Sequence, residues 1–382
     1  MVLYLVYWIG IILLWYCQSA DAKWSPISSA LHSAALSPTN YQGRFEGRTP
    51  TDSTQWNVAN RMHDIEKQQN DTMRYLEEKY MGKVVCCEIP EFPQCDVFVC
   101  GTLHVAKTSA DMVKDVIQAV KPQYVVLELC DARIDSICDS ALDEELLQNM
   151  TLTKIVGQSF EQRSLMVLGS GLLTWMQLKA SSAMGSKLGQ ELYVAAKEGY
   201  NHESTVILGD RLYSVTIQRC FDRLYFIEKM KLVLMLLYEV LSMTVHSMKD
   251  YISKTEDDAD FIKKEMKRFE KHLPSFAKVV IHERDEYMSQ IIYNIARKGF
   301  GNYKIRGTDI GMRGKIVVVV GAAHLTGISK WLSMNGSTDE RVNDISTSSK
   351  ETIPTWPGRD KFILCDVSAI FGGNDKLRVM PM

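Results

Sequence analysis

Apolar residues along the chain fall into two patterns, short unbroken runs and stretches with helical spacing. The first organised run, Asp96–Cys100 (DVFVC), is rich in β-branched and aromatic residues and is closed by Gly101, which predicts a buried strand. Thr108-Ser109-Ala110-Asp111 then has the form of a capping box and predicts a helix start. Val113, Val116, Ile117 and Val120 follow at i, i+3, i+4, i+7 spacing, so a helix over about 109–121 should carry one apolar face. Pro122 stops it, and Tyr124–Cys130 (YVVLELC) reads as the next buried strand. Strand, helix and strand make a βαβ unit, so DVFVC and YVVLELC are expected as adjacent parallel strands with the helix packed on them.

From about Ala132 to Arg297 the pattern is mostly helical, with a strand ending in a turn at 204–211 (STVILGDR). Two stretches there are densely apolar, Leu165–Leu178 and Met230–Val245. Each is short or interrupted for a membrane span, the second by Lys231 and Glu239, and core helices are expected. The last organised unit repeats the first in outline: strand 315–320 (KIVVVV), then Gly321-Ala322-Ala323-His324, then a helix over 325–332. Two copies of strand, Gly-x-x-His and helix hint at internal duplication. A further edge strand is expected at 361–367 (KFILCDV). The sum is an α/β (α+β) fold with a central, mostly parallel sheet flanked by helices and a helix-rich middle. The organisation reads as a leader at 1–22, a polar linker with a helical stretch at 23–80, the folded domain at 81–335 and an extension at 336–382.

Composition changes this picture at the ends. Val2–Cys17 is apolar without a charge and is followed by Ala20-Asp21-Ala22, so the leader reads as a signal peptide or a membrane anchor. That favours the secretory pathway or endoplasmic reticulum, in which case the sequons at Asn70, Asn149 and Asn335 would be open to glycosylation and Cys86, Cys87 and Cys95 to oxidation. The net charge of −2 gives no electrostatic footprint for nucleic acid. The nine cysteines show no zinc-finger spacing, and Cys100 and Cys130 read as small buried thiols.

Candidate chemistry lies at the strand ends. Gly101 and Gly321 each close a strand, where glycine permits a sharp turn and close approach to a ligand. His104 and His324 would then project from equivalent loops. Glu128 is an acid inside an apolar strand, and a buried carboxylate needs a partner or a metal. Two histidines and one carboxylate make a common first shell for a catalytic divalent cation. Manganese, cobalt and zinc are all compatible with such a set.

The stretch CGTLHVAKTSADMVKDVIQAVKPQYVVLELCDARI resembles the opening of the TraB/pheromone-shutdown family, a relative of the Tiki metalloproteases. Further family-like segments follow in order: QSFEQRSLMVLGSGLLTWMQLKASSA, LGQELYVAAKE, VILGDRLYSVTIQR, HERDEYM and VVGAAHLTGI, together covering about 96–335. The segment before Gln190-Glu191 is abbreviated relative to the family form. The resemblance implies a central sheet flanked by helices and a site at His104, His324 and Glu128. Arg133, Glu191, Asp210-Arg211 and Glu283-Arg284-Asp285 are secondary candidates, with Asp210 and Asp285 expected in structural ion pairs.

Two functions follow from the resemblance. One is a metal-dependent, peptidase-like hydrolase acting on a peptide or protein. Its metal would sit on His104, His324 and Glu128, Glu191 or Glu283 would move protons, and Arg133 or Arg211 would stabilise the oxyanion. The other is a non-enzymatic regulator or adaptor held at a membrane by the N-terminal segment. Relatives at the mitochondrial outer membrane make that compartment the alternative location.

Overall fold

A computed structural model describes residues 71–103, 107–130, 133, 151–163, 167–168, 171–172, 175, 189–242, 250, 253–254, 259–300, 314–334, 363–364 and 380–381. The expectations for the leader, for His104 and for the three sequons lie outside these residues.

The strands are β1 Val84–Ile89, β2 Phe92–Thr102, β3 Tyr124–Leu127, β4 Thr205–Leu208, β5 Gly314–Gly321, β6 Ile363–Leu364 and β7 Met380–Pro381. They form one sheet in the order β1-β2-β5-β3-β4-β6-β7. The central four, β2, β5, β3 and β4, are parallel, while β1, β6 and β7 pair antiparallel at the two edges.

The order corrects one expectation. β2 and β3 are parallel but not adjacent, because β5 lies between them, pairing Val99 with Val318 on one side and Val126 with Val318 on the other. The reason is burial. Ile316, Val317, Val318, Val319 and Val320 are all fully enclosed, and a strand that is apolar on both faces is best placed where strands flank it and helices cover it. Sequence neighbours pair only as a tendency, and the β2-to-β3 crossover steps over one position.

Side chains alternate across the sheet as the pleat requires. Phe98, Cys100, Val125, Leu127, Val206, Leu208, Val317 and Val319 face one core. Two helices cover it, α1 (Lys107–Val120) and a later one we call α3 (Gln190–Asn201), after α2 (Leu152–Glu161). The expected face Val113, Val116, Ile117 and Val120 is buried there. The helix starts at Lys107, ahead of the anticipated cap, and the Ser109 hydroxyl instead accepts from the Leu103 N–H at 2.9 Å.

The opposite face, with Val97, Val99, Val126, Ile207, Ile316, Val318 and Val320, packs under two late helices. Between α3 and these come α4 (Tyr213–Arg223), α5 (Phe226–Ser242), α6 (Ala259–His272) and α7 (Pro274–Ala277). A π-turn, Lys278–His282, then leads into α8 (Glu283–Phe300), and α9 (Ala322–Met334) follows β5. The middle helices build a separate core from Ile155, Ile217, Leu236, Leu273, Phe276 and Val279. Helix α5 is a core helix on one side only: Leu236 is enclosed, while Leu234 and Tyr238 are exposed. Among the described residues, no helix is long and apolar enough to cross a membrane.

Two glycines test this packing. A Cβ at Gly314 would stand 2.5 Å from the Phe300 ring, whereas one at Gly157, inside α2, meets nothing within 4 Å. Gly314→Ala should therefore destabilise the chain by about 1–3 kcal/mol. Gly157→Ala should stabilise it by about 0.5–1 kcal/mol in urea unfolding. Equal effects of the two substitutions would contradict the described packing.

Candidate functional site

Four parallel strands deliver their carboxyl ends to one edge of the sheet, where α/β folds gather polar groups. Glu128 follows β3 directly, Gly209-Asp210-Arg211 follow β4, and β5 runs without a loop into α9. His324 therefore sits in the first turn of a helix, not on a loop as its spacing suggested, and it is fully buried. Gly101 lies at the end of the neighbouring strand, paired with Val320. A Cβ there would approach Ala322 Cα at 3.2 Å and Leu325 Cδ2 at 3.1 Å. Its glycine is thus explained by the close approach of α9 to β2.

The group that joins these ends is Arg284, which is 1% exposed. Its Nε and Nη2 donate to the two oxygens of Asp210 at 3.0 and 2.8 Å, a bidentate pair. Nη2 also donates to Glu128 Oε1, and Nη1 donates to the Val280 carbonyl at 3.2 Å. The other oxygen of Glu128 accepts from the Gly321 N–H at 2.6 Å. Glu128 is thereby held at the start of α9, where the helix dipole favours an anion. Arg133 Nη1 adds a second, looser approach to Asp210 at 3.9 Å.

The π-turn places the arginine. The Glu283 N–H reaches back five residues to the Lys278 carbonyl. The Val279 and Val280 carbonyls accept from Arg211 Nη2 and Arg284 Nη1. A local widening of this kind re-aims the side chains that follow it. The next residue, Asp285, accepts or shares a proton with His324: Oδ1 lies 2.5 Å from Nδ1. A Cβ at Gly327 would fall 1.9 Å from Asp285 Oδ2, so the carboxylate lies directly over the backbone of α9.

The protonation of His324 follows from its neighbours. Burial pushes the imidazole down, but the Glu128 and Asp285 carboxylates outweigh it and the Arg284 charge, raising it to about 9. The 3.0 Å approach of Arg284 Nη1 to Nε2 would suit a neutral ring accepting there. The two carboxylates that flank the ring, Asp285 at Nδ1 and Glu128 at Nε2, favour its charged form. Glu128 Oε1, 3.3 Å from Nε2, is then the partner of the ring. Arg284 itself is held protonated: burial lowers it, and Asp210 and Glu128 more than restore it. Asp285 is pushed up by burial, against the pull of His324.

The other candidates take different places. Arg211 and Glu283 bond to each other at 2.9 Å, and Arg219 completes a bidentate grip on the same carboxylate at 2.8 and 2.7 Å. Burial pushes Glu283 up, yet these two arginines hold it below the usual carboxylate range. Glu191 is buried in the first turn of α3. That turn lies at the same end of the sheet, since α3 runs back into β4, but Glu191 is not among the partners of Arg284. Asp210 and Asp285 make the expected ion pairs, and those pairs form the centre itself. Arg284 was legible in principle: with Met288, Ile291, Ile292 and Ile295 it shares the buried face of α8, so helical periodicity puts a charge inside.

Glu128 and His324 thus come together as the metal reading required, while His104 lies outside the described residues. Both oxygens of Glu128 and both ring nitrogens of His324 already face Gly321, Arg284 and Asp285. As placed, the guanidinium stands where a cation shared by the two would sit. Among the described residues, no group of three or more His, Cys, Asp or Glu is arranged to hold a metal ion.

A cavity of about 740 Å³ opens beside this cluster, within the range of small-molecule sites. Asp285 and Gly327 form part of its wall, under α6 and beside the end of β2.

Replacing Arg284 by Met would leave Glu128 and Asp210 buried without their cation, and should cost about 3–5 kcal/mol in urea unfolding. Adding Glu128→Gln and Asp210→Asn to that variant should recover part of the loss; no recovery would mean that charge is not what Arg284 supplies. His324 yields a pH test. Its folded-state proton affinity, at about 9, lies above the ordinary 6.5, so protonation favours the fold. That contribution is complete below about 6.5 and is lost as the pH rises through about 9. Thermal stability should fall between pH 7 and 9.5 in the intact chain, and more shallowly in His324→Gln; parallel curves would refute the charged ring.

Comparison with known proteins follows the same boundaries. The model of the TraB/PrgY/gumN family matches residues 91–341, which hold β2 to α9 and every residue of the buried network. A TraB domain-containing protein of Homo sapiens is 30% identical over 268 residues, covering 66% of this chain and 65% of that protein. The Mus musculus protein of the same name is also 30% identical over 268 residues, with the same coverage. An uncharacterized protein of Methanocaldococcus jannaschii is 27% identical over 242 residues, covering 63% of this chain and 54% of that protein. The chain therefore spans less than two thirds of the length of these relatives. With the sheet, the strand-end groups and the helices that carry them all inside the matched segment, the chain belongs to the TraB/PrgY/gumN family.

Proposed function

We propose that the chain is a hydrolase, peptidase-like in its substrate class, that works at the wall formed by Asp285. The observation that carries this reading is the Asp285–His324 pair at 2.5 Å, buried yet bordering a cavity. Burial raises the Asp285 carboxyl, bringing it toward the range in which a carboxylate can both take and return a proton. In this reading Asp285 takes a proton from the attacking water and gives it to the leaving group. His324 orients the carboxylate and holds a compensating charge, while Arg284, Glu128 and Asp210 fix the frame around both. Arg211 and Glu283 serve the frame from the far side of the π-turn.

A divalent cation is the second reading, favoured by the 3.3 Å approach of His324 Nε2 to Glu128 Oε1. It would require His104 as a further ligand and the withdrawal of the Arg284 guanidinium. Metal content of the purified full chain, compared with His104→Ala and His324→Ala, decides it: bound metal lost in both variants would favour the cation.

The hydrolase reading is tested with chromogenic esters and fluorogenic peptides. The intact chain should turn over members of these sets, and Asp285→Asn should lower kcat by at least about a hundredfold with the fold retained. Unchanged turnover in Asp285→Asn, or none by the intact chain, would refute it and leave the regulatory role.

A further inference from the structure

The cavity has a chemical character that the proton-transfer reading does not use. Its inner wall is apolar: Leu103 from the end of β2, Met112 from α1, Ile262 and Met266 from α6, Ile281 from the π-turn and Leu325 from α9. Leu103, Ile262 and Met266 also pack with Ala322 and Ala323 as a small cluster of their own. Helix α6 therefore roofs the cavity with one face.

The rim is cationic. Lys83, Lys263, Lys267 and Lys330 all border the cavity. Lys263 is paired with Asp260 at 3.3 Å on its own helix. Glu270, the remaining acid at the rim besides Asp285, lies 3.2 Å from His282. Lys83, Lys267 and Lys330 border the same opening from three elements, the turn before β1, α6 and α9. Among the described residues none of these three lysines has an ion-pair partner. Three lysines without an ion-pair partner bordering one cavity raise the local concentration of anions. An apolar wall behind them favours an apolar body.

We propose that the cavity binds an amphipathic anion, a carboxylate or phosphate monoester carried on an unbranched apolar chain. The chain would lie along Leu103, Ile262, Met266 and Leu325, and the head would rest among Lys83, Lys267 and Lys330. This shares with the reading above only the cavity beside Asp285: the anion is a ligand of that cavity and not the molecule that is hydrolysed. Binding is therefore measured in Asp285→Asn as well as in the intact chain, so that lost chemistry and lost binding are told apart.

Four probes sharing one ten-carbon chain separate head from body: decanoate, decyl phosphate, decanol and decyltrimethylammonium, each titrated calorimetrically into the full chain below its micelle concentration. The two anions should bind about tenfold more tightly than decanol, and the cation more weakly than decanol. Raising the salt should narrow these differences. Lys267→Ala with Lys330→Ala should erase the preference for anions and leave decanol unaffected; both side chains are exposed, so the fold is not at risk. Lys264→Ala, on the same helix but outside the cavity lining, is the control and should change nothing. Equal affinities for all four probes, no binding of any, or a preference that survives the double substitution would each overturn the proposal. Binding of the anions with no turnover by the intact chain would instead count against the hydrolase reading alone.

Discussion

A guanidinium with almost no solvent exposure is the constraint around which the rest of the domain is arranged. Removing an arginine from water costs several kcal/mol, and a buried ion pair does little better than offset that cost. What such a pair does supply is a geometric demand. Arg284 can be buried only if Asp210 and Glu128 arrive together, and they arrive only if β4 and β3 end level with each other beside β5. Gly321 extends the demand to α9 through its N–H on Glu128. Two cores of interchangeable valines and isoleucines could slide past each other in register; the polar ends set one alignment.

The fold was largely legible in the chain because burial writes itself into composition. Ile316–Val320 is apolar at every position, so a strand covered on both faces followed directly. The four apolar residues of α1 likewise named the face that now packs on the sheet. Strand order was not legible. Nothing in Val97–Cys100 or Val125–Leu127 specifies a neighbour, since any apolar strand completes the same ladder, and sequence proximity suggested the wrong one. The boundary of α9 was misplaced for a related reason: Ala322 and Ala323 suit a turn or a helix equally, and the anchor that starts the helix, Glu128, is distant in sequence.

The site divides along the same line. Glu128 stood out as an acid in an apolar strand, and His324 through its repeated spacing after a glycine. Arg284 and Asp285 were named only as secondary candidates, through the resemblance, because they belong to the charged run Glu283–Glu286, which looks like the solvated first turn of a helix. Two of those four charges face inward, and the π-turn before them turns that pair toward the sheet. A local change of helical pitch leaves no mark in hydrophobic periodicity. Gly327 was equally silent, since only the position of Asp285 over its Cα explains why a side chain does not fit.

The family match covers the whole buried network but not every group that borders the cavity. Residues 91–341 contain Glu128, Asp210, Arg284, Asp285 and His324, the groups whose mutual burial leaves little room for substitution. They also contain the α6 face over the cavity and Lys330. Lys83 lies outside that segment, in the turn leading into β1, which pairs antiparallel with β2 from Val84 opposite Cys100. The turn leading into this edge strand thus brings a cation to the cavity without touching the network beneath it. An edge strand can change its charges at small cost to the fold, because its outer ladder is not committed to a neighbour. The network cannot, because each member satisfies the burial of another. On the proposed readings, proton transfer and recognition rest on different parts of the fold, so charge at the rim can change while the buried frame stays as it is.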